Sequence, residues 1–127
     1  MKGIAIGGYS TRVTARDEPF DIAFFGWAAD YLDPFNFINV LLDGRFVGTT
    51  NWGRFDSPGY NASMRRAARL SGEARLRAYA QLDERLSRDA APAVPVDLPS
   101  ATTLVSRRIG CVVLRPELDL TAVCLKQ

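Results

Sequence analysis

The side chains of this 127-residue chain that are best suited to chemistry are two aspartates, Asp30 and Asp33, which follow Trp27 at the end of an apolar stretch. A pair of carboxylates could serve as general acid and general base. Asp33, however, directly precedes Pro34, an arrangement typical of a helix cap and the first helical residue. Asp30 is then left alone, and its position is typical of a turn residue that bonds nearby backbone amides. We therefore do not expect an enzyme.

The composition narrows the classes of function further. The chain contains no histidine, which removes Ser-His-Asp and Cys-His nucleophilic systems and every imidazole metal site within it. Its 16 basic and 14 acidic residues give a net charge of +2, so charge provides no reason to expect binding to nucleic acid or to an anionic membrane. The hydrophobic fraction of 47% is that of a globular domain. We expect neither a cofactor nor a nucleic-acid partner.

The two cysteines, Cys111 and Cys124, do not form a Cys-x-x-Cys pair, so a zinc or redox site is not indicated. Each lies in a short β-prone run, and the link between the runs could bring them side by side. A disulfide would then require the two Cα atoms to lie within about 7 Å. Without a bridge, both side chains would be small buried hydrophobes. The spacing leaves both interpretations open.

Hydrophobic periodicity predicts three helices. The first begins at Pro34 after the cap Asp33 and ends near residues 43–44, the second follows a cap at Asn61 or Ser63 and extends to about residue 70, and the third covers residues 73–90. The third helix has the strongest signal, and its charged residues, Arg75 among them, are expected to form a solvated face. Its apolar stripe comprises Leu76, Tyr79, Ala80, Leu82, Leu86 and Ala90.

Short β-prone runs flank these helices. Residues 4–6 form a brief candidate strand, and residues 9–19 are polar enough to predict a loop. Residues 20–27 are aromatic and nearly uncharged, which predicts a strand buried on both faces. The later candidates are an extended run over 94–99 and strands over 102–105, 109–114 and 121–125. Strand, helices and then a cluster of strands make an α+β pattern.

Residues 27–34 read WAADYLDP, and this run resembles the Trp-x-x-Asp-Tyr-x-Asp-Pro motif of family 5 extracellular solute-binding proteins. These are the receptors of ABC importers for peptides, oligopeptides and nickel. Leu32 replaces the proline that is commonest in the motif, and Asn61 stands where the family usually has aspartate. The resemblance covers the chain from about residue 18 onward. Similar segments occur in the family's order at 18–22, 36–37, 41–44, 51–55, 74–80, 89–92 and 94–96.

The resemblance implies the C-terminal fragment of a two-lobed fold, the type II periplasmic-binding-protein-like fold, with short strands around three helices. Residues 1–99 would form part of the second lobe, and residues 100–127 would return to a first lobe that this chain lacks. The implied function is that of a solute-binding component of an ABC importer, with peptides as the favoured ligand and a membrane permease as partner. The full-length form would be periplasmic, or extracellular and membrane-anchored, and this chain carries no signal peptide. The alternative is a truncated, self-associating structural module without a ligand.

The resemblance also implies a binding site. In peptide-binding members the motif's aspartate, here Asp30, meets the α-amino group of the ligand, which stays cationic in a closed cleft only beside a carboxylate. Trp27 would form an apolar wall next to that amine, or belong to the core. Tyr31 would line the cleft or pack beneath it. Because exported proteins fold where thiols oxidise, the resemblance also favours a bridge between Cys111 and Cys124.

Overall fold

A computed structural model describes residues 5–15, 17–98, 100, 102–113 and 119–126. Helix α1 covers Ile6–Thr14, α2 Phe35–Leu42, α3 Pro58–Ala68 and α4 Gly72–Arg85, which continues as a π-helical turn over Leu86–Ala90. Strands β1, Ile109–Cys111, and β2, Cys124–Leu125, pair antiparallel. Short 3-10 turns cover Gly44–Phe46 and Leu120–Ala122. Helices accompanied by a small sheet are compatible with the α+β prediction, although the described part of the chain has four α-helices instead of three.

The core lies where α2, α3 and α4 pack together. The stripe predicted on the last helix is confirmed for Tyr79, Leu82 and Leu86, each of which is at most 2% exposed. Leu76 and Ala80 of the predicted stripe are exposed, and both line the rim beside Pro34, while Ala90 is half-buried. The buried cluster consists of Ile38, Met64, Ala67, Tyr79, Leu82 and Leu86. Burial of such side chains contributes about 1.5–3 kcal/mol each, so this cluster holds the three helices together.

The predicted start of α3 is wrong. The helix begins at Pro58 after Ser57, and neither Asn61 nor Ser63 caps it. Proline at the first helical position is a strong start signal, since its missing N–H would have no partner there. Asn61 is instead buried, and its amide accepts a hydrogen bond from Gly44 N at 3.1 Å and donates one to Asp56 Oδ1 at 2.6 Å. It therefore fastens α3 to the end of α2.

The prediction for the N-terminal region is also wrong. Residues 9–15 are mostly helical rather than a loop, and Ala5 forms no strand, while Ile4 lies outside the described residues. Packing explains the difference, because it outweighs the low helix propensity of the two glycines in α1. Val13 is 5% exposed, and the ring of Tyr9 meets that of Trp52 edge to face at 6.0 Å. Arg54 Nη2 also donates to Ala15 O at 2.6 Å.

Residues 20–27 do not form the doubly buried strand that was predicted. Within the described ranges no strand pairs with them, so nothing covers their second face. Exposed and half-buried side chains alternate from residue 22 to residue 30. Phe25 and Trp27 are half-buried, whereas Ile22 is 89% exposed and Phe24 is 71% exposed. The segment keeps the twofold side-chain period of a strand without the neighbours that would complete a sheet.

The C-terminal strands are shorter than predicted. Residues 102–105 form no strand. β1 retains the first three residues of the run over 109–114, whose Leu114 lies outside the described residues, and β2 retains the last two residues of the run over 121–125. The register places Cys111 opposite Cys124, and a disulfide joins them across a Cα separation of 5.1 Å. Residues 94–98, which were predicted to be extended, have no regular secondary structure. Val94, Val96 and Leu98 are each at least 75% exposed. No helix in the described ranges is long and apolar enough to cross a membrane.

Candidate functional site

Asn36, in the first turn of α2, organises the motif. It is 1% exposed, and its side-chain oxygen accepts hydrogen bonds from Trp27 Nε1 at 3.0 Å and from the backbone N–H of Asp30 at 3.2 Å. Its side-chain nitrogen donates to Asp30 Oδ2 at 3.1 Å. Trp27 and the backbone of Asp30 are donors and require the amide oxygen, whereas the Asp30 carboxylate is an acceptor and requires the amide nitrogen. These partners determine the orientation of the Asn36 amide. The structure thus brings Trp27 and Asp30 together around one buried side chain.

The carboxylate of Asp30 lies on the exposed side of this arrangement. Its Oδ2 is occupied by Asn36, whereas its Oδ1 has no hydrogen-bond partner among the described residues. The carboxylate bonds a side chain from the following helix and not a nearby backbone amide, so the turn-residue interpretation does not describe its contacts. One carboxylate oxygen is left free to accept a donor from outside the chain.

Asp33 is fully engaged within the fold. Its Oδ1 accepts from Phe35 N at 2.8 Å and from Arg75 Nη2 at 2.7 Å. Helix α2 begins at Phe35, one residue later than predicted, with Pro34 as its N-cap residue, but the side chain of Asp33 still caps the first N–H of the helix. Its Oδ2 accepts from Arg75 Nε at 3.0 Å. The hydrogen bonds from the Arg75 side chain, with that from Phe35 N, hold the pKa of Asp33 below its ordinary value although burial opposes them. With both oxygens occupied, Asp33 cannot act as the partner of Asp30 in acid–base chemistry.

Arg75 was expected on the solvated face of α4, and that expectation is wrong. Its side chain is 18% exposed, because it reaches from α4 to the start of α2. Its Nη1 also donates to Ala68 O at 2.8 Å and to Ala67 O at 3.2 Å, carbonyl groups at the end of α3. The guanidinium carbon lies 5.0 Å from the centre of the Tyr79 ring. One arginine thus ties three helices together next to the motif.

Tyr31 is 49% exposed, and its side chain makes no hydrogen bond within the described residues. It neither packs beneath the motif nor lines a closed cleft in this chain. Trp27 is half-buried, with its indole N–H bound to Asn36. A depression of about 200 Å³ lies between α2 and α4. Its lining residues do not include Asp30; they are Pro34, Ile38, Leu76, Tyr79, Ala80 and Asp83. The site formed by Trp27, Asp30 and Asn36 is therefore an open surface.

The loop after α2 contacts the segment that precedes this surface. Trp52 lies 5.9 Å from the Phe25 ring, and Phe55 lies 5.6 Å from the Tyr60 ring, so both act as hydrophobic anchors. Asn51 is fully buried and fixes the loop with hydrogen bonds to Asp43 O and to both backbone groups of Phe55. The ordered loop is thus held by one asparagine and two aromatic side chains.

The two arginines of this loop have different partners. Arg45 pairs with Asp43, with Nη2 and Oδ2 at 2.8 Å. Burial works to raise the pKa of Asp43, but the hydrogen bonds from Arg45 outweigh it, and the pKa lies below its ordinary value. Arg54 lies 4.4 Å above the Phe20 ring and does not pair with Asp56. Neither arginine contributes to the surface around Asp30.

Sequence reasoning singled out Asp30 and Trp27 but missed the role of Asn36. A weak signal was available, because Asn36, Asn39 and Asp43 recur at helical spacing on one side of an otherwise apolar helix. All three are at most 1% exposed, and buried polar side chains of this kind usually have specific partners, although the side-chain nitrogen of Asn39 has none among the described residues. In the described part of the chain, no group of three or more metal-ligating side chains could hold a metal ion.

Among curated proteins, the chain is similar to the periplasmic oligopeptide-binding protein OppA of Escherichia coli (strain K12). The two are 30% identical over 109 residues, which are 85% of this chain and 19% of that protein. The chain is also 31% identical to heme-binding protein A of Haemophilus influenzae over 86 residues, 67% of this chain and 16% of that protein. It thus spans less than a fifth of either relative. No protein-family model matches the chain, and no solved structure matches it significantly. Both relatives are named as binding proteins, and neither is named as an enzyme.

Proposed function

We propose that this chain is the C-terminal part of a family 5 solute-binding protein of an ABC importer, and that the protein binds peptides through their α-amino group. The observation that carries the proposal is the carboxylate of Asp30, which a buried amide holds in place and which keeps one oxygen free. It lies in the segment that resembles the family motif. The similarity to the oligopeptide-binding protein supports the same conclusion.

The chemistry of the site suits a primary ammonium group. An ammonium carries three N–H donors and a positive charge, and a carboxylate with a free oxygen supplies both an acceptor and a compensating charge. Trp27 is held beside Asp30 by the same amide, so its ring can form an apolar wall near the cation. No bond of the ligand changes in such binding. Because Asp33 is occupied by Arg75, the motif offers no second free carboxylate for catalysis.

The proposal includes a division of the chain. Residues 1–99 belong to the second lobe and residues 100–127 to a segment that returns to the first lobe, which lies elsewhere in the longer protein. The exposed apolar side chains support this division, because Ile22, Phe24, Val96, Leu98 and Leu104 are between 71% and 93% exposed. Apolar surface of this extent marks a site of interaction with other protein. The longer protein delivers its ligand to a membrane permease and works outside the cytoplasm.

The same exposed surface supports a second function of a different class, a self-associating module without a ligand. Residues 22–30 keep the side-chain alternation of a strand and have no paired neighbour within the described ranges, and an unpaired edge of this kind can pair with a second copy. Size-exclusion chromatography of this chain with mass detection, over a dilution series, distinguishes a self-associating module from a fragment of a receptor. A dimer that persists on dilution supports self-association. A monomer supports the fragment of a receptor.

The mass of the natural protein tests the proposed division directly. An antibody raised against this 14.0-kDa chain should detect a much larger protein in cells that produce it, since the chain spans less than a fifth of its relatives. That larger protein should bind peptides with a free N-terminus in calorimetry. A natural product of about the mass of this chain, with no peptide binding, would contradict the proposal.

A further inference from the structure

We propose that Asn36 is a positioning residue that couples Trp27 to Asp30 and thereby makes the surface selective for a primary ammonium. This inference rests on the proposed function and goes beyond it, because Asn36 itself need not touch a ligand. The observation behind it is that a single buried amide makes all three contacts with Trp27 and Asp30. The selectivity of the site would then depend on a residue beneath it.

The burial of Asn36 gives these contacts their rigidity. At 1% exposure, water has little access to the amide, so loss of the Asp30 carboxylate would leave the buried side-chain nitrogen of Asn36 without this acceptor. The backbone of α2 fixes the side chain from below, because Asn36 lies in the first turn of that helix. The start of α2 is itself fixed by the cap and the ion pair of Asp33. The position of Asp30 is thus determined by the helix and not by its own exposed loop.

The hydrogen bonds also determine how Asp30 presents its charge. Asn36 donates to Oδ2 alone, which turns Oδ1 away from the protein. Without Asn36, both oxygens would be equally available, and the exposed side chain would occupy several rotamers. A pre-ordered carboxylate loses less conformational entropy when a ligand binds. Asn36 therefore favours a ligand that places a strong donor at one defined point, which an α-ammonium does and an acetylated amine does not.

Asn39 provides a matched control on the same helix. It is also fully buried, and it accepts a hydrogen bond from Tyr79 Oη at 2.7 Å. Its side chain contacts the core and makes no hydrogen bond with Trp27 or Asp30. Asn36→Leu and Asn39→Leu each replace a buried amide by an apolar side chain with the same branching. Both should lower stability, but only the former should disturb the surface around Asp30.

The first measurement uses this chain and nuclear magnetic resonance. In Asn36→Leu, the indole N–H of Trp27 should lose about tenfold in protection from hydrogen exchange, the loss expected for one hydrogen bond. Asn39→Leu should leave that signal unchanged. If Asn36→Leu does not fold, Asp30→Asn is measured in its place, because a substitution at the exposed position 30 should not prevent folding. That variant should shift the side-chain NH₂ signals of Asn36 and leave those of Asn39 in place. Asn36 signals that do not respond would overturn the proposal.

The second measurement uses the longer protein and the ratio of its affinities for trialanine and N-acetyl-trialanine. A purely structural role of Asn36 would weaken both peptides equally and leave the ratio unchanged. As a positioning residue, Asn36 should lower the ratio by about tenfold or more in Asn36→Leu, since the loss falls on the free amine. Asn39→Leu should keep the ratio. An unchanged ratio in Asn36→Leu would overturn the proposal.

The two measurements also separate this inference from the proposed function. If the unmutated longer protein binds both peptides equally, amine recognition by Asp30 fails, and so does the selectivity assigned to Asn36. The resonance measurement on this chain would still show whether Asn36 holds Trp27 and Asp30. If the unmutated protein prefers the free amine and Asn36→Leu keeps that preference, the proposed function stands and the role of Asn36 alone is wrong.

Discussion

Arg75 and Asp33, which lie 42 residues apart in sequence, form a two-point ion pair between the start of α4 and the cap of α2. The guanidinium donates to both carboxylate oxygens, a geometry that makes such pairs stronger than a single contact. The pair distinguishes the two aspartates of the motif. Asp33 is committed to the fold, whereas Asp30 keeps a free oxygen at the surface.

We expect this pair to make stability depend on pH. In the fold, the pKa of Asp33 lies below that of the unfolded chain, so its contribution to stability is present above the unfolded-state pKa and is lost as the pH falls through the folded-state pKa. Asp33→Asn keeps the cap but removes the charge. At neutral pH this substitution should lower the free energy of unfolding by about 1–2 kcal/mol. The loss is modest because the side chains of Asp33 and Arg75 are both partly exposed. Urea unfolding of the two proteins at a series of pH values measures the difference.

The difference between Asp33→Asn and the unmutated protein should shrink below about pH 4 and disappear in stronger acid. Asp97→Asn is the control, since Asp97 is exposed and has no ion pair among the described residues. It should change stability little at any pH. A constant difference for Asp33→Asn across the whole pH range would show that the ion pair does not stabilise the fold.

A second prediction concerns Gly44, where the end of α2 meets α3. A Cβ at this position would lie against Asp56 and only 2.9 Å from Asn61 Nδ2. Gly44→Ala should therefore cost about 1–3 kcal/mol, because the buried Asn61 would have to move. Gly59→Ala is the matched control, since a Cβ there meets nothing within 4 Å and the position is helical. Equal unfolding free energies for the two variants would contradict the close approach.

The helical core could be predicted from sequence because its signals are local. Tyr79, Leu82 and Leu86 recur at helical spacing, and Pro34 marks the start of α2, so periodicity and capping rules were sufficient. The prediction failed for segments whose secondary structure depends on contacts with residues far away in the sequence. Residues 20–27 have the composition of a central strand, but strand formation requires partners that the described residues do not provide.

The candidate site shows the same division. Trp27 and Asp30 could be found because the motif resembles that of a known family. Asn36 could not be assigned its role, since that role depends on how the turn between residues 30 and 33 folds back onto α2. The burial of Arg75 was also missed, because a single arginine in a charged helix gives no signal that it reaches a distant carboxylate.

A third prediction concerns Cys111 and Cys124. Protein purified from an oxidising compartment should contain this bridge, and thiol titration under denaturing, non-reducing conditions should detect no free thiol. Treatment with a reductant should then release two thiols. The bridge closes a short loop, so its contribution to stability should be at most about 3 kcal/mol. Two free thiols before reduction would contradict the prediction.

A fourth prediction concerns this chain in isolation. It should bind peptides weakly or not at all, because small-molecule sites typically bury about 70–90% of their ligand and the surface around Asp30 is open. An ion pair in contact with water contributes only about 0–1 kcal/mol. Calorimetry with a mixed peptide library should show no heat of binding. Sub-micromolar affinity would mean that this chain alone is a complete receptor.

The central claim is that Asp30 meets the α-amino group of a peptide, and a four-way cycle in the longer protein tests it most directly. The cycle compares the unmutated protein and Asp30→Asn, each with a free and an N-acetylated peptide, and Asp97→Asn, at an exposed position, serves as a control that should leave affinity nearly unchanged. The Asp30→Asn substitution alone, or acetylation of the peptide alone, should weaken the binding free energy by about 2–5 kcal/mol. This is the usual loss when one partner of a buried charge pair is removed. The two changes together should cost little more than one, because both remove the same interaction. Losses that simply add would show that Asp30 and the amine do not meet.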